Sequence, residues 1–385
     1  MTTVQAGVLP PNSTIGIIGG GQLGRMSALA AARLGFRCHV LTPERDGPAA
    51  QVSAACTVGE YEDPAALRRF AEAVDVITFE FENVSASGLE LLQSIRPVRP
   101  DPTVLRISQD RVAEKTFLRD SGVPTAPWRA VGSRAELDAA VAAVGLPAVL
   151  KTTRLGYDGK GQAVLREAGA LDAAWEALAP KPLVLEGFVN YACEVSVVVA
   201  RGVDGAGSLF DVVENRHRDG ILDVTIAPAR VARATAAEAA RVAWRVAEAL
   251  DLVGVLAVEM FVEQEGDRGG RVLVNEIAPR PHNSGHWTID ACPCSQFELH
   301  MRAVTGMPLP PGLRHADAVM KNLVGPDEVA LWPAITSTPR LIPHLYGKAE
   351  ARPGRKMGHV TRLFPRGALP DDAGIVEALG PAAPR

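Results

Sequence analysis

Residues 272–287 read VLVNEIAPRPHNSGHW, from Val272 to Trp287. Val272, Leu273 and Val274 form a short apolar run of the kind that makes a buried strand. Asn275 and Glu276 follow as the first polar groups at its end. Arg280, His282, Asn283 and His286 come within one loop's length, on a path stiffened by Pro279 and Pro281. A carboxylate beside a cluster of cationic and amide groups is costly to assemble unless a ligand reconciles the charges. A divalent cation on the acid and an anion on the Arg/His side would do so. Taken alone, the stretch fits a plain polar loop after a strand just as well.

The chain upstream narrows this. Gly254–Val262 is a second apolar run with Glu259 inside it, and Gly266–Gly270 turns the chain back into Arg271–Val274. The pattern predicts neighbouring antiparallel strands with Glu259 and Glu276 facing one side. Two carboxylates joined by an amide, Asn275, suit a hard, oxygen-seeking ion such as Mg2+ on nucleotide phosphates. Earlier, Pro147–Lys151 reads as a strand that runs into TTRLGYDGKGQ at Thr152–Gln162. Gly156, Gly159 and Gly161 permit close backbone approach there, and Lys151, Arg154 and Lys160 supply positive charge. That suits a flap over phosphates or, failing that, a solvated hairpin. The P-loop order of residues is absent. Leu183–Leu185 leads into Glu186-Gly187-Phe188-Val189, where apolar and backbone polar groups could hold a flat adenine ring. Arg111–Arg119 reads as a helix carrying Arg111, Glu114 and Lys115. Val195–Ala200 is a strand preceded by Glu194, and Ala234–Leu250 is an amphipathic helix.

The N-terminal region opens with a strand, Thr14–Ile18, and the spacing G-x-G-x-x-G at Gly19–Gly24. A helix from Arg25 to about Leu34 and a strand at Phe36–Leu41 complete a βαβ start, with Glu44 roughly 20 residues on. Backbone N–H groups at such a loop approach an anion, and a dinucleotide and a sugar phosphate both qualify. Val74–Phe79 is a later strand of the same sheet. Glu80, Glu82 and Asn83 at its carboxyl end point into a ligand crevice or merely solvate the strand end. Toward the C-terminus, Ser295–Thr305 is a helix stopped by Gly306, and Met320–Leu323 starts a small β-rich unit. Lys348, Arg355 and Lys356 could complete an anion site against the glycine loop, or be exposed basic loops. The final Ala/Pro-rich residues are expected to fray.

Length and composition set the outer bounds. A chain of 385 residues with 47% hydrophobic content predicts two or three α/β domains with sizeable cores. A net charge of −4 without a basic tail argues against nucleic acid as the main partner. No apolar run approaches the roughly 20 residues that span a bilayer. Met1–Ser13 reads as a flexible leader rather than a signal peptide, which places the protein in the cytoplasm. Five scattered cysteines, Cys38, Cys56, Cys193, Cys292 and Cys294, lack zinc spacing and suit free thiols in a reducing compartment.

The order of these motifs resembles the ATP-grasp superfamily and, within it, the 5-(carboxyamino)imidazole ribonucleotide synthase family. The resemblance runs from about Thr14 to about Thr361. It rests on GGGQLGRM at Gly19–Met26, TFEFENV at Thr78–Val84, GYDGKGQ at Gly156–Gln162 and EGFV at Glu186–Val189. ENRHRDGILDVTIAPA at Glu214–Ala229, NEIAPRPHNSGHWT at Asn275–Thr288, SQFELHMRAV at Ser295–Val304 and GRKMGHV at Gly354–Val360 complete it.

The resemblance implies an α/β (α+β) ATP-grasp fold. It comprises a Rossmann-like parallel-sheet domain over residues 1–110, a two-part ATP-grasp domain over 111–306 and a β-rich C-terminal domain over 307–385. ATP would lie between two antiparallel sheets. Arg111 and Lys151 would contact its phosphates under the flap Gly156, Tyr157, Asp158, Gly159, Lys160, Gly161 and Gln162. Glu186, Gly187, Phe188 and Val189 would hold adenine, and Glu194 the ribose, with His217 nearby. Glu259 and Glu276, with Asn275 beside them, would bind Mg2+ (or Mn2+). Gly21, Gln22, Leu23 and Gly24 would approach the phosphate or ribose of 5-aminoimidazole ribonucleotide, with Lys348 and Arg355 as its cationic clamp. Glu82, Tyr157, Asp158, Arg280, His282 and Asn283 would surround the carboxyl transfer, with His282 as proton shuttle. The implied reaction is carboxylation by bicarbonate through carboxyphosphate, in a homodimer. Three other readings stand beside it. One is an NAD-dependent oxidoreductase, supported only by the first βαβ. The second is an ATP-grasp relative that uses formate. The third is a nucleotide-binding module without catalysis.

Overall fold

The computed structural model describes residues 7–154, 161–264 and 269–384. Gly156, Tyr157, Asp158, Gly159 and Lys160 lie outside the described residues, as do residues 266–268 of the expected turn.

Thr14–Ile18 (β1), Arg37–Thr42 (β2), Ala55–Val58 (β3) and Val76–Phe79 (β4) form a parallel sheet in the order β3-β2-β1-β4. The first helix runs Gln22–Arg33, starting before the expected Arg25, because Gly21 in an extended conformation caps it directly. Ile18 stands opposite Phe79 across β1 and β4. The glycine loop after β1 and Glu80 after β4 therefore emerge side by side, at the point where strand order reverses and ligand crevices form.

Two antiparallel sheets follow. The smaller contains Trp128–Val131 (β5), Ala148–Thr152 (β6), Gln162–Leu165 (β7) and Leu183–Gly187 (β8), in the order β5-β8-β6-β7. The larger begins with Tyr191–Arg201 (β9), Gly207–Leu209 (β10), Val213–Arg218 (β11), Ile221–Ala227 (β12), Gly254–Glu263 (β13) and Val272–Ala278 (β14). It continues with Asp317–Val324 (β15), Leu341–Leu345 (β16) and Lys356–Phe364 (β17), in the order β14-β13-β9-β11-β12-β15-β17-β16 with β10 added to β9. The C-terminal strands thus extend the central sheet, since β12 would otherwise be an open edge and pairs with β15 from Val224↔Lys321 to Ala227↔Ala318.

Alternation decides what each face of the large sheet meets. Val195, Val197 and Val199 pack with Val242, Ala243 and Val246 of the helix Arg233–Ala249. Val198 and Ala200 point the other way, toward Leu299 of the helix Gln296–Thr305. That second helix is buried all round. Its Met301 and Val304 join Ile15, Ile17 and Val40 in the core of the parallel sheet. It ends at Gly306 in the left-handed conformation, φ +79°. One helix thus ties the N-terminal sheet to the central one.

Three further sequence expectations change. Asn275 and Glu276 lie inside β14 rather than at its end, because pairing with β13 continues to Ala278↔Ala257. Glu194 lies inside β9 for the same reason, opposite Phe261. The Ala/Pro-rich tail is ordered. Asp372–Leu379 is a helix whose Ile375 and Leu379 are buried against Val224 and Val360, and Asp372 pairs with Arg216 and Arg230. No described helix is long and apolar enough to cross a membrane.

Candidate active site

The glycine loop after β1 closes on a carboxylate. The Gly24 N–H donates to Glu80 Oε2 at 2.6 Å, and the Gly21 N–H donates to Glu80 Oε1. A Cβ on Gly19, where φ is +113°, would collide with the buried Glu80 side chain, so geometry and space both require glycine there. Burial pushes the Glu80 carboxyl up, against the two N–H groups and the nearby Arg280 and Lys348. A dinucleotide pyrophosphate would have to displace Glu80 from this loop, which removes the ground for an oxidoreductase. Gln22 and Leu23, the next residues, face a cavity of about 430 Å³.

That cavity draws on every part of the chain. Gly21, Gln22, Leu23, Glu80 and Glu82 line it from the parallel-sheet side. Arg111 and Glu114 line it from the helix Arg111–Asp120, and Thr153, His217, Glu259 and Glu276 from the central sheets and their ends. Arg280, His282 and Asn283 come from the loop after β14, and Lys356 from β17. Glu259 stands directly opposite Glu276 across β13 and β14, so the expected carboxylate pair is present. Glu276 Oε2 pairs with Arg111 Nη1 at 3.0 Å, and Glu259 Oε1 with His282 Nε2 at 3.0 Å. Burial alone would raise the Glu259 carboxyl, but His282, His217 and Lys356 outweigh it and hold it below the usual carboxylate range. Arg280 pairs with Glu82 at 2.6 Å, and His217 Nδ1 with Glu194 at 2.7 Å. Burial opposes protonation of His217, and Glu194 more than offsets this, so the imidazole is raised.

The donor set fits Mg2+. Glu259 and Glu276 offer carboxylate oxygens, and Asn275 Oδ1 is a buried oxygen with no hydrogen-bond partner among the described residues. Hard oxygen donors of this kind are what Mg2+ takes.

Behind Glu276, the helix Arg111–Asp120 grips β14 at three consecutive residues. Lys115 Nζ donates to Asn275 O at 2.9 Å, Arg111 holds Glu276, and the Ile277 N–H donates to Glu114 Oε1 at 2.5 Å. Lys115 also pairs with Glu186 Oε2 at 3.1 Å, and Lys151 reaches the same oxygen at 3.3 Å. Burial would raise Glu186, yet the two lysines pull it down to about 2. Burial lowers Lys151 despite Glu186. The Glu186 side chain therefore anchors two lysines, and Phe188 two residues on is exposed.

Lys151, Asn275, Glu186–Val189, Glu194, Lys348 and Arg355 stand outside the cavity's lining. Lys348 Nζ donates to Lys356 O at 2.6 Å, and Arg355 Nη1 to Glu350 O at 2.9 Å. Burial, with Arg355 adding, lowers Lys348 to about 8. Gln162 begins the returning strand of the β6–β7 pair, opposite Lys151, and Gly161 just before it accepts from the Thr152 N–H at 2.9 Å. Elsewhere, Asp290, His344 and His359 bring possible ligand atoms within 4.8 Å of one another. The two imidazoles stack with planes 16° apart, and hydrogen bonds already engage one nitrogen of each, His344 Nε2 with Asp290 Oδ2 at 2.9 Å and His359 Nδ1 with the Tyr346 hydroxyl at 2.9 Å.

Three family models cover most of the chain: a ribonucleotide synthetase preATP-grasp domain over residues 12–109, an ATP-grasp domain over 116–297 and a phosphoribosylaminoimidazole carboxylase C-terminal domain over 318–367. An N5-carboxyaminoimidazole ribonucleotide synthase of Brucella melitensis is 51% identical over 360 residues, which cover 93% of this chain and 98% of the relative. The chain belongs to the N5-carboxyaminoimidazole ribonucleotide synthase family. The Bacillus subtilis member is 43% identical over 374 residues, covering 96% of this chain and 95% of that one. Among solved structures, an ADP complex of an N5-carboxyaminoimidazole ribonucleotide synthetase superposes with a TM-score of 0.89 at 41% identity, covering 94% of each chain. The Aspergillus clavatus enzyme in complex with ADP and 5-aminoimidazole ribonucleotide gives 0.85 at 33% identity, covering 92% of this chain and 94% of that one. The fold is therefore ATP-grasp and the chain is an enzyme, an ATP-grasp ligase.

Three residues around the cavity have no assigned role in the sequence. Glu80 and Lys356 have two open readings there, a crevice or anion-site residue and a solvated strand end or basic loop, and both line the cavity. Lys115 was read only as a helix residue, although its spacing of four from Arg111 put both on one helix face. Replacing Lys115 with Met keeps the side chain's length and leaves Glu186 with Lys151 alone. Calorimetric titration of Lys115→Met with MgATP is expected to show affinity reduced about tenfold, about 1.4 kcal/mol. Unchanged affinity would limit Lys115 to a folding role.

Proposed function

We propose that this chain carboxylates 5-aminoimidazole ribonucleotide with bicarbonate and ATP, giving 5-carboxyaminoimidazole ribonucleotide, ADP and phosphate in purine biosynthesis. The observation that carries this is one shared cavity. It joins a carboxylate pair suited to a nucleotide's metal to the parallel-sheet edge, where Gln22, Leu23 and Glu82 wait for a second substrate. The family's names and the ADP and aminoimidazole nucleotide held by the Aspergillus relative support the choice of substrates.

Bicarbonate is a poor electrophile and needs activation. Its oxygen attacks the γ-phosphorus, the bond from that phosphorus to the bridging oxygen breaks, and ADP leaves with the electron pair. Arg111 and Lys151 face the phosphates and offset the charge that builds on the separating oxygens. Mg2+ (or Mn2+), which Glu259, Glu276 and Asn275 would hold, supplies further neutralisation of phosphate charge when bound. Carboxyphosphate then loses its C–O bond to give CO2 and phosphate. The exocyclic amine attacks CO2 and passes its proton to phosphate or to a side chain nearby. Arg280, His282 and Asn283 surround that transfer, with Glu82 steering Arg280. Lys348 and Arg355 form the cationic side toward the acceptor's phosphate.

Two experiments follow. ADP release is expected only when bicarbonate and 5-aminoimidazole ribonucleotide are both present. Stimulation by formate and glycinamide ribonucleotide instead would keep the fold and reassign the substrates. For Lys348, the charged form prevails below about 8 and is lost above it. Affinity for the aminoimidazole nucleotide, read as KM, is therefore expected to weaken as pH rises through about 8. Lys348→Arg, whose guanidinium keeps its charge, should abolish that trend. A pH dependence identical in the two proteins would take Lys348 out of the clamp.

A further inference from the structure

A line of buried hydroxyl and amide groups runs beneath His282. The backbone N–H of Ser284 points at His282 Nδ1 from 3.3 Å, and Ser284 Oγ lies 2.9 Å from the same nitrogen. A backbone N–H can only donate, so Nδ1 accepts and carries no proton. The Ser284 hydroxyl then donates to Nδ1 as well, and its oxygen is left to receive a hydrogen bond. Ser196 Oγ supplies one at 2.7 Å. Asn215 Nδ2 donates in turn to Ser196 Oγ at 2.8 Å, and Thr225 Oγ1 to Asn215 Oδ1 at 3.0 Å. All four residues are buried, three of them fully. Every donor in the line points the same way, and the line ends on His282.

We propose that Ser284, backed by Ser196 and Asn215, is a positioning residue that holds His282 as the tautomer protonated on Nε2. His282 then turns an N–H, and not a lone pair, toward Glu259 Oε1, 3.0 Å away. This orients the carboxylate so that its second oxygen is left for a cation, as hydrogen bonds to ligating carboxylates do in metal sites. The functional consequence rests on the carboxylation proposed above: Ser284 acts through His282 on the carboxylate that would hold the nucleotide's metal.

The test is the long-range 1H–15N spectrum of histidine-labelled, ligand-free enzyme at a pH above the usual histidine range. His282 is assigned among the eight histidines by its absence in His282→Asn. A pyridine-type Nδ1 and a pyrrole-type Nε2 are expected. The reverse pattern, or two averaged nitrogens, would overturn the proposal. Ser284→Ala and Ser196→Ala are expected to shift both nitrogens toward the average, with the larger shift in Ser284→Ala. Turnover by Ser284→Ala should fall about tenfold at unchanged KM for ATP. Lost turnover with an unchanged His282 spectrum would make the serines structural and sink the proposal. The spectrum is read without substrates, so it stands or falls independently of the carboxylation assignment.

Discussion

Two glutamates face each other across adjacent strands, and the charges of the site are arranged around that opposition. Like charges directly opposite in an antiparallel pair repel. Glu259 and Glu276 are tolerated because cationic and hydrogen-bonding groups are brought in from four separate elements. Arg111 comes from the start of a helix, His282 from the loop after β14, His217 from β11, and Lys356 from the first position of β17. None of these elements is adjacent in sequence to both carboxylates. The pair becomes acceptable only in the folded chain, and a bound cation would complete the balance.

The same logic governs the layers around the pair. Glu186 is buried, and two lysines from different elements converge on one of its oxygens. Lys115 is itself fully buried and passes the constraint on to the backbone of Asn275. Removing one member of such a buried set leaves the others uncompensated, which costs more than the pair contributes. On the opposite wall, Glu80 fixes the glycine loop, and His300 of the helix Gln296–Thr305 meets Thr78 at 3.0 Å just before it. The Gly347 carbonyl accepts from Gln51, which Arg25 also holds, so the C-terminal loop is fastened to the first helix. The cavity's walls are thus held by contacts that cross the whole chain.

Much of this was legible in the sequence. The apolar run Val195–Ala200 of β9, the glycine turn after β1 and the hairpin placing Glu259 opposite Glu276 are local patterns, and local patterns survive in one dimension. What escaped depends on long-range contacts. Lys115 meets Asn275 across 160 positions and Glu80 meets Gly24 across 56, and no periodicity announces either. Asn275 and Glu276 looked like a strand end because polar residues usually mark one; here pairing with β13 carries the strand past them. The tail looked unstructured from its Ala/Pro content, yet Ile375 and Leu379 found an apolar surface to cover. The line from Thr225 to His282 gathers residues from four elements, and its direction follows from which groups can only donate.

The measurement that bears most directly on the account is the fate of oxygen from labelled bicarbonate. With 18O-bicarbonate, MgATP and 5-aminoimidazole ribonucleotide, attack of bicarbonate on the γ-phosphorus places one bicarbonate oxygen in each phosphate released. Mass spectrometry of the phosphate should show that single label. Phosphate free of label, formed alongside carboxylated product, would mean that ATP is cleaved without bicarbonate as the nucleophile and would contradict the role assigned to the cavity.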